Sequence, residues 1–145
     1  MAFAEITAGD QVIRYDRDKT QRVYAGVEKG DADVCGCLYC QNFAAQRASA
    51  FPETFKRLLD RLGIDPLKEG EVYELGSTER GTFSYGGWFY FYGEMLEAGE
   101  RNTTSGAFEY WFTAKIPKAH AFHGESVIAV EFLTTLNWIL ALCPE

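Results

Sequence analysis

Three cysteines within six residues are the strongest chemical signal in this sequence. Residues 35–40 read CGCLYC, and the 145-residue chain contains one other cysteine, Cys143. Zinc and iron–sulfur sites use three or four thiolates on a short, turned segment of backbone. Cys35, Cys37 and Cys40 therefore predict a metal site, zinc above all, that needs a fourth ligand or a water molecule to complete it.

The fourth ligand has several candidates. Cys143, Asp33 and the two histidines of the AHAFH segment, His120 and His123, each offer a suitable atom. A protein ligand in this position predicts a structural site, whereas water predicts an open site for catalysis or transfer. These alternatives stay open, because the second C-x-x-C that is typical of zinc ribbons is absent from the sequence.

Two other interpretations of the cysteines compete with metal binding. Cys37 and Cys40 form a C-x-x-C at the start of a predicted helix, where the helix dipole would lower a thiol pKa, as in thiol-redox proteins. Alternatively, the cysteines only pack as small apolar side chains. Asn42, inside the same helical turn, predicts either a local capping bond to the backbone or a hydrogen bond to a sulfur or ligand.

A second candidate surface is aromatic. Six of the eight residues in YGGWFYFY (85–92) are aromatic, so both faces of this predicted strand are expected to be covered. One face should meet the helices, and the other should be core, a homodimer interface or a site for a small aromatic or sugar-like ligand. The candidate residues for such a surface are Trp88, Tyr90, Tyr92 and Trp111, with Trp138 if it shares their face.

The sequence contains no complete catalytic signature. A Gly-rich phosphate loop, G-x-S-x-G and H-E-x-x-H are all absent, which favours a binding or structural protein over an enzyme. Glu131 lies inside a predicted strand between Val130 and Phe132, so we expect a buried partner for it, Arg14 or Arg22.

The elements that would position these residues are predicted from periodicity. The helix predicted at 52–62 continues an apolar stripe of five residues that starts at Phe51, and Gly63 is suited to end that helix. A preceding helix begins near Gln41, directly after the cysteines. Loops are predicted at residues 28–33 and 98–106, and a turn or short helix at the NWILAL ending. Strands are predicted at residues 11–16 and 22–27, paired as a hairpin, and at 71–75, 82–96, 108–116 and 126–133. This order predicts an α+β domain covering residues 1–145, with an antiparallel sheet of about five to seven strands and the helices of residues 41–62 on one face.

Composition restricts the environment and the partners. The net charge is −7, and the densest basic stretch, residues 14–22, is interleaved with aspartates, so nucleic acid is not an expected partner. No apolar stretch approaches the roughly 20 residues of a membrane span. The N-terminus has no basic start or apolar run typical of a signal peptide, which predicts the cytoplasm, where thiols stay reduced.

Four segments together resemble a family of uncharacterised bacterial proteins. They are CGCLYCQNF (35–43), DRLGIDP (60–66), YELG (73–76) and YGGWFYFYG (85–93), and the EFLTTLNWIL ending (131–140) is also similar. The family carries a C-G-C-x-x-C-x-N-F segment before a helix, L-G-I-D-P after it, and a Tyr-Gly-Gly-Trp strand. The resemblance implies one compact domain and no particular activity.

Overall fold

A computed structural model describes residues 3–79, 81–100, 102–117, 121–123 and 126–142. This part of the chain forms an antiparallel sheet of seven strands with four helices, which confirms the predicted α+β class. The elements, in chain order, are β1 (Ala4–Ala8), β2 (Gln11–Tyr15), α1 (Arg17–Ala25), α2 (Asp31–Cys35), α3 (Leu38–Ala50), α4 (Glu53–Leu62), β3 (Glu71–Glu79), β4 (Thr82–Glu97), β5 (Thr103–Ser105), β6 (Phe108–Thr113) and β7 (Val127–Asn137). No helix in these ranges is long and apolar enough to cross a membrane.

The long strand β4 organises the sheet. The strand order is β1-β2-β4-β7-β6-β5, and β3 also pairs with β4. β4 pairs with β7 from Thr82 to Tyr92 and with β3 from Thr82 to Trp88, while its last part, from Gly93, pairs with β2. This strand of 16 residues therefore pairs with β3 near its start and with β2 near its end.

The sheet is curled, and the side chain of Gln11 links two strands that are not neighbours in the strand order. The side-chain amide of Gln11 in β2 donates to the carbonyl oxygen of Phe112 in β6 at 2.8 Å, and it accepts from the Phe112 N–H, also at 2.8 Å. Because β2 and β6 are not neighbours in the strand order, this amide takes the place of a strand partner and satisfies a buried backbone segment.

Helices α3 and α4 fill the inside of this curled sheet with phenylalanine rings. Phe43, Phe51 and Phe55 from the helical region pack on rings that the strands supply, with Phe55 4.7 Å from Phe108 and Phe51 5.1 Å from Phe132 between ring centroids. The prediction that the helices of residues 41–62 pack on one face is confirmed. The burial of these phenylalanine rings drives the packing of the helices on the sheet, since removal of apolar area from water is the main favourable term in folding.

The boundaries of α4 follow its sequence signals. Gly63 has a φ of 83°, the left-handed conformation that glycine adopts at least cost, and its N–H bonds to the carbonyl of Asp60. The predicted strands at 71–75, 82–96, 108–116 and 126–133 correspond to β3, β4, β6 and β7, with shifted ends.

The predicted hairpin of residues 11–16 and 22–27 is wrong. Residues 22–25 belong to α1, and the first hairpin is formed by β1 and β2 instead. Asp16 is the N-cap of α1, and its side chain accepts a hydrogen bond from the backbone N–H of Lys19 at 3.1 Å. Thr20 and Tyr24, four residues apart, form the buried stripe of the helix, a spacing that the β-branched content of RVYAGV obscured.

Three other segments also differ from the predictions. Residues 28–33, predicted as a loop, include the start of α2, and 98–106, predicted as a loop, includes β5. The NWILAL ending continues β7 through Asn137, and residues 138–142 follow it without regular helix or strand. Short elements of three to five residues carry too few periodic positions to be recognised in a sequence.

Candidate metal centre

Two helix ends bring the three cysteines together. Cys35 is the last residue of α2, Cys37 is the N-cap of α3, and Cys40 lies in the first turn of α3. Gly36, the single residue between the two helix boundaries, has a φ of 75°. A residue with a side chain rarely adopts this conformation, so glycine permits the abrupt turn that folds the three thiols onto one another.

The three sulfur atoms form one compact group. All of them lie within 4.8 Å of one another, and the Sγ atoms of Cys35 and Cys37 are 3.3 Å apart. The backbone N–H of Cys40 donates to the Sγ atom of Cys37 at 3.4 Å. Cys35 and Cys37 are exposed, whereas Cys40 is buried. The group is thus open to solvent on one side and set into the protein on the other.

The environment separates the acidities of two of these thiols. The pKa of Cys35 is lowered by a hydrogen bond from the Cys37 backbone and by the thiols of Cys40 and Cys37. The pKa of Cys40 is raised, first by burial and then by the neighbouring thiols. Cys35 therefore loses its proton more readily than Cys40, and a cation would be required to hold several thiolates together.

A buried ion pair fixes α2 against α3. Arg47 of α3 lies 2.7 Å from Oε1 of Glu69 and 3.4 Å from Oδ2 of Asp33 in α2. The N–H of Asp31 donates to the carbonyl of Glu69 at 3.1 Å, and its carboxylate accepts from the N–H of Val72 at 2.9 Å. Burial raises the pKa of Glu69, and the Arg47 guanidinium opposes that rise. These contacts join residues that are 14 to 41 positions apart, so local sequence patterns gave no sign of them.

Asn42 holds the end of the chain against α3. Its side chain donates to the carbonyl of Asn137 at 3.1 Å and accepts from the N–H of Ile139 at 2.9 Å. The predicted local cap is therefore wrong, and the partners of this amide are distant backbone groups and the Tyr85 hydroxyl rather than a sulfur. Beside it, the Tyr85 hydroxyl donates to the carbonyl of Tyr39 at 2.9 Å, and burial raises the pKa of Tyr85 to about 12.

The described residues do not supply a fourth ligand. Among them, the three cysteines are the single group of three or more potential metal ligands. Asp33 pairs with Arg47 instead, and His123 is outside the group, its backbone being hydrogen-bonded to the Tyr92 hydroxyl. His120 and Cys143 lie outside the described residues.

Four aromatic candidates share one face of the sheet. Trp88, Tyr90 and Tyr92 alternate along β4, and Trp111 lies on their face because Glu131 of β7 is the register partner of both tryptophans. Tyr90 and Tyr92 are buried, whereas both tryptophans are half-buried. Trp138 does not join them, since its ring packs on Tyr39 of α3 and on Phe83.

The expected partner of Glu131 is also different. Its Oε2 atom accepts from the Tyr73 hydroxyl at 2.6 Å. Arg14, one of the two expected partners, lies 2.8 Å from Glu94 instead. The Tyr73 side chain reaches Glu131 across Gly86, whose missing side chain leaves the space that the ring occupies. Burial, followed by the hydrogen bond to Glu131, raises the pKa of Tyr73.

Comparison of the chain with protein-family models, curated proteins and solved structures gives no match. The resemblance to the family with the C-G-C-x-x-C-x-N-F segment accordingly stays a prediction.

Proposed function

We propose that this protein binds one metal ion, zinc, through Cys35, Cys37 and Cys40, and that it acts as a metal-binding or structural protein in the cytoplasm. The observation that carries the proposal is the convergence of three Sγ atoms within 4.8 Å. A reducing compartment suits this role, because it keeps the thiols available as ligands.

The sulfur separations fit a single ion. Thiolates at about 2.3 Å from a tetrahedral zinc ion lie about 3.8 Å apart. The 3.3 Å between the sulfurs of Cys35 and Cys37, and the 4.8 Å limit for the whole group, bracket this value. In a [4Fe–4S] cluster each thiolate binds a different iron atom and the cysteine sulfurs lie farther apart, so the geometry favours a single ion over such a cluster.

The helix start supports the negative charge of the ligands. Cys37 and Cys40 lie at the N-terminus of α3, a helix of 13 residues, where free N–H groups and about half a positive charge face the sulfurs. The Cys40 N–H already donates to a sulfur. Because Cys35 and Cys37 are exposed, the ion would be accessible from solvent, with water or a donor beyond the described residues in the fourth position.

The test is elemental analysis of protein purified without a metal-affinity tag, combined with thiol counting. We expect about one zinc per chain, and thiols that become reactive when a chelator is added. Replacement of Cys37 by Ser should weaken zinc binding at least about a hundredfold, since even changes outside the ligand set cost 10–100-fold. Cys143→Ser is the matched variant, and a comparable loss would make Cys143 the fourth ligand.

A contrary result is also well defined. If the reduced protein takes up no zinc from an equimolar solution, and the thiols of Cys35 and Cys37 react freely whether or not zinc is present, the metal proposal fails.

One distance favours a second function, thiol redox chemistry. The Sγ atoms of Cys35 and Cys37 are 3.3 Å apart and exposed, whereas Cys40 is buried with a raised pKa. The reactive pair would therefore be Cys35 and Cys37 rather than the C-x-x-C pair. Both thiols would lose a proton and one electron each to a disulfide oxidant, which leaves as two thiols. Peptide mapping after treatment with oxidised glutathione would identify the bond, and failure to form it would exclude this function.

A further inference from the structure

Two indole rings flank a carboxylate on the face of the sheet that points away from α4. Phe89, next to Trp88 in sequence, packs on α4, so Trp88 lies on the opposite face. Glu131 of β7 is the register partner of Trp88 in β4 and of Trp111 in β6. These three half-buried residues form a Trp–Glu–Trp row across three neighbouring strands. Because neighbouring strands are about 4.8 Å apart, the two tryptophans lie about 10 Å apart at the backbone, with Glu131 midway.

The carboxylate of Glu131 has no cationic partner in the described part of the chain. Its Oε2 atom accepts a hydrogen bond from the Tyr73 hydroxyl at 2.6 Å, but a phenol adds no positive charge. The ion pairs between described residues involve other carboxylates. Glu71 of β3, the other register partner of Trp88, brings a second carboxylate beside the row. Burial raises the pKa of Glu71, and the charges of Asp31 and Glu131 raise it further, which indicates negative charge without a compensating cation.

The indole rings of the row are also without a cation. Arginine and lysine side chains lie over three other aromatic rings in the described ranges and over neither indole. Tryptophan is the aromatic side chain whose face attracts cations most strongly, at distances up to about 6 Å from the ring centroid. Tyr73 adds a third ring, with its centroid 6.0 Å from that of Trp88. Since each tryptophan is one strand away from Glu131, a cation at this carboxylate would be within reach of both indoles.

We propose that the Trp–Glu–Trp row binds a small molecule with a quaternary ammonium group, which lies at the Glu131 carboxylate between Trp88 and Trp111. Such a group carries its charge on methyl groups, so it is stabilised by aromatic faces and by a nearby negative charge without hydrogen bonds. A guanidinium fits less well, because its paired hydrogen bonds to both carboxylate oxygens would compete with the Tyr73 hydroxyl at Oε2. The proposal does not involve the cysteines, and it is independent of the metal site.

The first test is NMR titration of the reduced, full-length protein with choline and, separately, with neohexanol, the uncharged analogue that has a carbon atom in place of the nitrogen. We expect choline to cause saturable shifts of the indole N–H signals of Trp88 and Trp111. The signal of Trp138, which packs on α3, should stay constant. Neohexanol should bind at least about tenfold more weakly, because it has the shape of choline without its charge. Equal affinities, or shifts confined to other residues, would overturn the proposal, as would tighter binding of methylguanidinium than of choline.

The second test removes the charge of the row and keeps its shape. Glu131→Gln retains an oxygen that can accept from the Tyr73 hydroxyl, and it should weaken choline binding at least about tenfold. Glu97→Gln is the matched control, because Glu97 is exposed at the end of β4, outside the row, and its replacement changes the net charge by the same amount. The control should bind choline as the wild type does. Equal affinities of the two variants would overturn the proposal, since binding would then depend on net charge alone.

Discussion

The guanidinium of Arg47 binds one oxygen of Glu69 and not the other: its Nη2 and Nε atoms lie 2.7 Å and 3.1 Å from the same Oε1 atom. The Arg47 side chain is 8% exposed and that of Glu69 is fully buried. The pair therefore replaces water for one oxygen, while the second is buried without a hydrogen-bond partner among the described residues. It also joins α3 to the loop before β3, and through Asp33 it holds α2 in place.

Replacement of Arg47 by Met should strongly destabilise the protein. It leaves Glu69 buried without its cation, a change that costs about 3–5 kcal/mol of unfolding free energy. The double variant Arg47→Met, Glu69→Gln should recover part of the loss, because no charge is then buried. Urea unfolding measures both values, and a single variant as stable as wild type would refute this role for the pair.

The same variant predicts a pH dependence. The pKa of Glu69 is already raised by burial, and without Arg47 it rises further. Between the unfolded pKa, about 4.5, and the higher folded pKa, the folded state binds more protons, so stability falls as pH rises. Arg47→Met should therefore lose stability from pH 5 to pH 8 relative to the double variant, about 1.4 kcal/mol per pH unit at most. Parallel stability profiles for the two proteins would contradict this.

Replacement of Gly36 by Ala should weaken zinc binding. No atom lies within 4 Å of the position that the new β-carbon would occupy, so the cost is conformational and comes from the φ of 75°. Left-handed backbone costs a residue with a side chain about 1–2 kcal/mol, which corresponds to roughly a tenfold loss of affinity. Gly26→Ala is the control, since Gly26 ends α1 with a right-handed φ of −92°. Competition with a chromogenic zinc chelator measures both, and equal affinities would argue against the turn as the organiser of the site.

Replacement of Asn42 by Ala should release the segment after β7. The fully buried amide makes bonds to Asn137 and Ile139 across more than 90 positions of sequence. We expect a loss of about 1–3 kcal/mol, because buried backbone groups lose their partners. Amide hydrogen exchange at Ile139 should accelerate at least about tenfold, whereas Ser49→Ala, an exposed change on the same helix, should leave it unchanged. Unaltered exchange in the Asn42 variant would show that other contacts hold this segment.

Replacement of Gln11 by Glu should weaken the contact between β2 and β6 in the curled sheet. A carboxylate accepts but does not donate, so the carbonyl of Phe112 loses its partner while the buried site gains a charge. We expect a loss of at least about 2 kcal/mol in urea unfolding, and near-neutral behaviour for Gln21→Glu on exposed α1 surface. Equal stabilities for the two variants would refute the closing role of Gln11.

The parts of the fold that were predictable have long periodic segments or local signals. The stripe from Phe55 to Leu62 with Gly63 after it located α4, and the alternation in FEYWFT located β6. Residues 22–27 were predicted as a strand because Val and Tyr favour strands. In the structure, the capping bond of Asp16 and the burial of Tyr24 favour a helix instead. The partners of Glu131 and Asn42 could not be predicted, since side chains separated by 58 and 95 positions meet only after the sheet has formed.

The sequence by itself determined that three thiols lie within six residues, because the covalent chain holds Cys35, Cys37 and Cys40 near one another in any conformation. It also determined the α+β class through its periodicities. The tertiary structure alone decided that the sulfurs face one another, since that depends on the left-handed turn at Gly36 and on the packing of two helices. It alone decided that Glu69 is buried with one oxygen unpaired, because that position depends on Arg47 and Gly30, which are distant from Glu69 in the chain.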